Sequence, residues 1–162
     1  MIMRMCSGFA RFARVRVFCS YLIAALLAAG QAWAMPGALD TIFDSDGKVV
    51  TTIGTGTFGL SVAMQPDGKV LVSGYSSNGT DYDFAIFRYL ADGSLDPSFD
   101  GDGKVLTSVG TGHDLGFAIV LQPDGKVLVA GESQTSGGDW DIALVRYNAD
   151  GSLDTSFGGD GR

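Results

Sequence analysis

Two short carboxylate clusters are the first residues in this sequence whose type and spacing suit chemistry. Asp44-x-Asp46-Gly47 and Asp100-x-Asp102-Gly103 each set two carboxylates before a glycine. A calcium loop opens in that way, because close oxygens and a Gly bend wrap a hard cation. No acid follows at the far-end spacing of an EF-hand loop, and in a third occurrence Gly158 replaces the first aspartate. The same residues also make a turn in which Asp accepts backbone hydrogen bonds. The incomplete ligand set favours the turn, so we assign no metal ligand and expect no cofactor.

His113, the single histidine, stands beside Asp114 after Gly110-Thr111-Gly112. Sequence neighbours do not by themselves form a catalytic dyad, and no Ser or Cys has the setting of a nucleophile. One histidine also argues against zinc. We assign no catalytic residue. Arg88 and Arg146 each follow an aspartate, Asp83 and Asp141, and recur at one place in a repeat. Recurrence favours an architectural pairing with a carboxylate over substrate binding. Tyr89 and Tyr147 read the same way, each an apolar body with a hydroxyl that needs one partner. Asn78-Gly79-Thr80 matches a glycosylation acceptor and predicts an exposed polar turn. The loops Ser76–Tyr82 and Ser133–Trp140 end in an aromatic beside acids: Asp81 and Asp83 in one, Asp139 and Asp141 in the other. Such loops stack on sugars, or pack as rims of a fold; packing is the favoured reading.

The elements that position these residues come from an internal repeat. Leu39-Asp40 returns at Leu95-Asp96 and at Leu153-Asp154. Gln65-Pro66-Asp67-Gly68-Lys69-Val70-Leu71-Val72 returns unchanged as Gln122 to Val129, and Arg88-Tyr89-x-Ala91-Asp92-Gly93-Ser94 returns from Arg146 to Ser152. The third copy stops at Arg162. Each full copy reads as four strands: Lys48–Ile53, Leu60–Gln65, Lys69–Tyr75 and Phe84–Leu90 in the first. Pro66-Asp67-Gly68 predicts a tight hairpin turn with a G1 bulge, since Pro presets φ and Gly supplies a positive one. Val70-Leu71-Val72 and Phe84-Ala85-Ile86-Phe87 are apolar on both faces, as expected of strands covered on both sides. Small four-stranded sheets sandwiched between neighbours form a propeller. Other β-repeat arrays are the alternative.

Residues 1–34 differ from the rest. Arg4, Arg11, Arg14 and Arg16 precede an apolar run from Val17 to Ala29, and Ala32-Trp33-Ala34 has the A-x-A form of a cleavage site. This layout predicts a secretory leader cut after Ala34, with an uncleaved anchor as the alternative. The run is shorter than the ~20 apolar residues of a spanning helix, and no later stretch reads as an anchor. All 18 acids and only seven of the 11 basic residues lie beyond residue 34, so that part carries a formal charge of −11. Such a surface repels nucleic acid and anionic lipid, and we expect neither as a partner. Cys6 and Cys19 both fall in the leader, so stability is expected from the core alone.

The runs Leu95 to Val105, Gln122 to Gly131 and Ala143 to Asp154 resemble the delta-60 repeat family. Those are tandem repeats of bacterial secreted and surface proteins thought to form β-propellers. The resemblance implies an exported propeller and no established activity.

The expected organisation is all-β: two four-stranded propeller blades plus the start of a third. The leader is 1–34, the repeats are 35–94 and 95–152, and a third begins at 153–162. The expected function is a non-enzymatic binding or surface-interaction module for a protein or glycan. The alternative is a secreted propeller enzyme acting on glycans from a site in other blades. Two sheets cover only one face of each other, so further repeats or self-association are expected to complete the fold.

Overall fold

A computed structural model describes residues 37–162. The expected leader and its cleavage point after Ala34 lie outside the described residues. All the regular structure described is β, with no helix long and apolar enough to cross a membrane among the described residues. The strands are β1 (Thr57–Met64), β2 (Val70–Ser77), β3 (Tyr82–Tyr89), β4 (Lys104–Thr107), β5 (Asp114–Leu121), β6 (Val127–Gln134) and β7 (Trp140–Tyr147). Two antiparallel sheets result, β1-β2-β3-β4 and β5-β6-β7, and neither closes on itself.

The β1–β2 hairpin forms where Pro66-Asp67-Gly68 predicts it. Gly68 donates to the Gln65 carbonyl at 3.0 Å, Gln65 donates to the Lys69 carbonyl at 2.8 Å, and Gly68 takes φ +86°. Gly125 repeats this at φ +85°. Only a residue without Cβ adopts such a φ freely. Both β1 and β5 shift register just after a glycine, skipping Leu60 between Gly59 and Ser61 and Phe117 between Gly116 and Ala118.

One expectation needs correction. Lys48–Ile53 is not a strand. Its counterpart Lys104–Thr107 is one, but it pairs with β3 of the first copy, Phe87 opposite Lys104 and Phe84 opposite Thr107. The sheets therefore run out of phase with the sequence repeat. Sheet one takes three strands from the copy at 35–94 and its fourth from the copy at 95–152, and sheet two has three strands rather than four. A strand exists only where another edge satisfies its backbone groups. Among the described residues Lys48–Ile53 has no such edge, whereas Lys104–Thr107 meets β3.

The main core lies between the sheets. Leu71, Phe84 and Ile86 of sheet one meet Val127, Val129, Val145 and Tyr147 of sheet two, each no more than 1% exposed. Full burial of such side chains stabilises by about 1.5–3 kcal/mol each. A smaller cluster of Ala85, Phe87 and Tyr89 lies on the other face of sheet one, with Val49 and Ile53 packed against it. Burial on both faces of β3 thus follows from its doubly apolar sequence. Tyr147 finds the partner its hydroxyl requires across the core, donating to Thr107 Oγ1 at 2.8 Å. Burial pushes the Tyr147 phenol above its ordinary pKa. Tyr147→Phe should lower the stability by about 1–2 kcal/mol, because buried Thr107 loses its partner. Urea unfolding with an unchanged midpoint would remove that bond from the list of stabilising contacts.

Candidate binding cleft

Each recurring polar residue can be placed by what its side chain touches. Asp46, Asp102 and Asp160 accept the backbone N–H two residues on, from Lys48, Lys104 and Arg162, at 2.9 Å each. The basic side chains turn back on the same carboxylates at 3.6, 3.4 and 3.2 Å. These carboxylates are engaged as turn caps. Asp44 and Asp100 hold φ near +50°, and their amides donate at 2.7 Å to the carbonyls of Asp92 and Asp150. No group of three metal-ligating side chains occurs among the described residues.

Arg88 pairs not with Asp83 but with Asp96, at 2.8 Å, and also donates to Ser98 Oγ at 2.9 Å. Its third contact is the Ala149 carbonyl, in the turn that follows β7 of sheet two. The guanidinium sits 4.5 Å over the Phe99 ring. Arg146 repeats the pattern with Asp154 at 2.7 Å and Phe157 at 4.7 Å. Both arginines are thereby committed to architecture. Asp114 is fully buried and accepts from the Val109 and Gly110 amides at 2.7 and 3.2 Å, so its carboxylate is spent on the loop and not on His113. Asn78 is exposed as expected, yet its amide nitrogen is bound by Asp81 and by Asp83, the latter at 2.8 Å.

What remains is aromatic. Phe58 of β1, Tyr75 of β2 and Tyr82 of β3 meet His113, Leu115 of β5 and Trp140 of β7 around a cleft of about 250 Å³ at one end of the inter-sheet junction. Phe58 and Tyr75 are opposite each other in the β1–β2 register, with ring centroids 4.9 Å apart. Tyr82 stands edge-on to Tyr75 at 5.3 Å and lies 5.4 Å from the His113 ring. Edge-to-face contacts of this kind hold rings in defined positions. The Tyr82 amide donates to His113 Nδ1 at 3.1 Å, so the neutral imidazole carries its proton on Nε2. Trp140 is 43% exposed at the rim. Next to Tyr82, burial raises the pKa of Asp83; the Asn78 hydrogen bond opposes this, and the charges of Asp81 and Asp114 add to it. Its Oδ1 is buried without a partner.

The two loop aromatics singled out in the sequence, Tyr82 and Trp140, are thus brought to one cleft together with His113. Sequence reasoning missed Phe58 and Tyr75. A signal was present: the second copy has Leu115 and Glu132 at those positions, so the cleft lies where the copies diverge.

No curated protein matches the chain. A family model described as a domain of unknown function (DUF5122), β-propeller, matches residues 65–99 and 122–157. Each match begins at the Gln-Pro-Asp-Gly hairpin and runs through the two strands that follow it to the Leu-Asp turn beyond. Two segments of the chain are thus similar to that β-propeller family, and the two unclosed antiparallel sheets are consistent with a partial propeller.

Proposed function

We propose that this is an exported, non-enzymatic binding module whose aromatic cleft receives a glycan. The observation that carries the reading is the cleft of Phe58, Tyr75, Tyr82, His113 and Trp140, open at the rim and built where the two copies differ. The apolar C–H face of a sugar stacks on such rings, and the His113 Nε2–H together with exposed Asp139 and Asp141 supplies hydrogen-bonding groups for hydroxyls. The arginine–leader layout of residues 1–34 supports export. Beyond the leader Trp140 is the one tryptophan, so its fluorescence reports on the cleft directly.

Titration with a panel of neutral oligosaccharides should shift that emission. Trp140→Ala removes the reporter, so this variant and Tyr82→Ala are compared by calorimetry. Each should weaken binding by about tenfold or more, as for the loss of one aromatic anchor. A panel that leaves both fluorescence and heat unchanged would falsify the reading. Amino-terminal sequencing of the exported protein is expected to start at Met35; a start at Met1 would contradict the leader.

A further inference from the structure

The loop between β2 and β3 is held shut by one carboxamide. Asn78 is exposed, and its amide nitrogen donates to Asp81 Oδ1 and, at 2.8 Å, to Asp83 Oδ2. Its side-chain oxygen accepts from the Thr80 and Asp81 amides at 2.8 and 3.1 Å, and its backbone N–H donates to the Asp81 carbonyl at 3.0 Å. Asp83 depends on that donor. It is 5% exposed and its other oxygen is buried without a partner, so the Asn78 bond offsets part of the cost of burying its charge. The charge of Asp81 adds to that cost. Tyr82 lies between the two clamped acids, and its amide is the group that donates to His113 Nδ1. The corresponding turn of the second copy, closed by Thr135 donating to the Asp139 carbonyl, contains no asparagine, and there Asp141 is exposed.

The residue after Asn78 is glycine. Asparagine is a chemically labile residue, and it is most open to attack by the following backbone nitrogen when no side chain shields that nitrogen. Gly79 meets this condition. It is exposed at φ +106°, with nothing within 4 Å of the position a Cβ would take.

We propose that Asn78 is a self-modification site: intramolecular deamidation at Asn78-Gly79 turns the amide clamp into a third carboxylate and irreversibly loosens the Tyr82 side of the aromatic cleft. The Gly79 nitrogen, having lost its proton to base, attacks Asn78 Cγ. A C–N bond forms, the Cγ–Nδ2 bond breaks, and the nitrogen leaves as ammonia after taking a proton from water. Water then opens the five-membered imide at either carbonyl, giving aspartate or its β-linked isomer. One water is consumed and one ammonia released, with no oxidant or reductant. In the folded chain Gly79 donates to Ser77 Oγ at 3.2 Å and four hydrogen bonds hold the carboxamide, so the loop must open first and the change is gradual. The product cannot rebuild the clamp. Two N–H donors are replaced by an anionic oxygen facing two carboxylates, and like charges at that distance repel. Asp81 and Asp83 separate from it, and the Tyr82 amide between them is drawn from His113. The modification stands independently of whether the cleft receives a glycan.

Peptide mapping by mass spectrometry, on the folded chain held in mildly alkaline buffer, tests this. Aspartate and isoaspartate are expected to accumulate with time at position 78. Asn148, the other asparagine, is followed by Ala149 and should stay intact over the same period. The consequence is read separately on Asn78→Asp, which reproduces the charge of the product. It should lower the melting temperature by several degrees and shift the ring resonances of His113, the single histidine. Adding Asp81→Asn to that variant restores two carboxylates and one amide to the loop, and should recover part of the loss. A position 78 that remains asparagine as long as position 148 overturns the proposal. So does an Asn78→Asp chain with the parent's melting temperature and His113 resonances, or a double variant no more stable than the single one.

Discussion

Replacing Asp96 with alanine is expected to lower the unfolding free energy by about 3 kcal/mol, as expected when a buried ion pair loses one member. Asp96 is 3% exposed and accepts from Arg88 at 2.8 Å, from the Ser98 amide and hydroxyl at 3.0 and 2.7 Å, and from Lys69 at 3.1 Å. Without it Arg88, whose side chain is 5% exposed, keeps its charge and loses its counter-ion. The lower end of the range applies because the Lys69 side chain is 28% exposed and leaves the rim of the pair wet. The second copy holds an internal control. Arg146 is 21% exposed where Arg88 is 5%, so Asp154→Ala should cost less than Asp96→Ala. Equal losses in urea unfolding would mean that burial does not set the strength of this pair.

The same carboxylates give the stability its pH dependence. Burial alone would raise Asp96, but the Ser98 hydroxyl and amide, Lys69 and the charge of Arg88 outweigh it and hold the group well below the usual carboxylate range. Hydrogen bonds from Lys126 and Ser156 do the same for Asp154. The folded chain therefore prefers both groups ionised. Their contribution is complete above the unfolded pKa of about 4 and is lost as the pH falls below it. Asp83 and Asp100 act in the opposite sense. Burial raises both, so their protonation on acidification relieves a cost and offsets part of the loss. Melting temperature should fall below about pH 4, and Asp96→Asn should flatten that fall. A variant with the wild-type acid profile would exclude Asp96 as its source.

Replacing Phe84 with alanine is expected to cost about 3–5 kcal/mol, the range for a large aromatic removed from a packed core. Phe84 is fully buried between the sheets, and its ring lies against the backbone glycines that let β5 and β6 approach: a Cβ on Gly131 would stand 2.8 Å from the ring and one on Gly116 3.5 Å from it. The hole left by alanine cannot collapse, because β2 and β4 hold β3 in register on both sides. The corresponding Ile142→Ala removes a side chain that is 88% exposed and should leave the monomer's stability nearly unchanged. Calorimetry of the two variants at one low concentration checks the contrast. A Phe84→Ala chain that melts like the parent would contradict the inter-sheet core.

By itself the sequence determined the β class, the repeat, the strand-turn-strand rhythm and the positions of the tight turns. Those are local properties. Pro66-Asp67-Gly68 makes its turn from three neighbouring residues, and Val70-Leu71-Val72 announces two covered faces by composition alone. Only the tertiary structure decided which strands share a sheet. Lys48–Ile53 and Lys104–Thr107 are almost the same words, yet among the described residues only the second has an edge to pair with, and no local pattern records the presence of a partner. The site divides in the same way. Tyr82 and Trp140 were legible because each closes a divergent loop, but Phe58 and Tyr75 sit inside strands whose side chains look like ordinary core. Their convergence with His113 arises because sheet two packs across the face of sheet one. Asp96 was visible as part of a recurring Leu-Asp pair. Its role as the buried counter-ion of Arg88 comes from a turn that carries the chain back beside β3, bringing the two residues into hydrogen-bond contact.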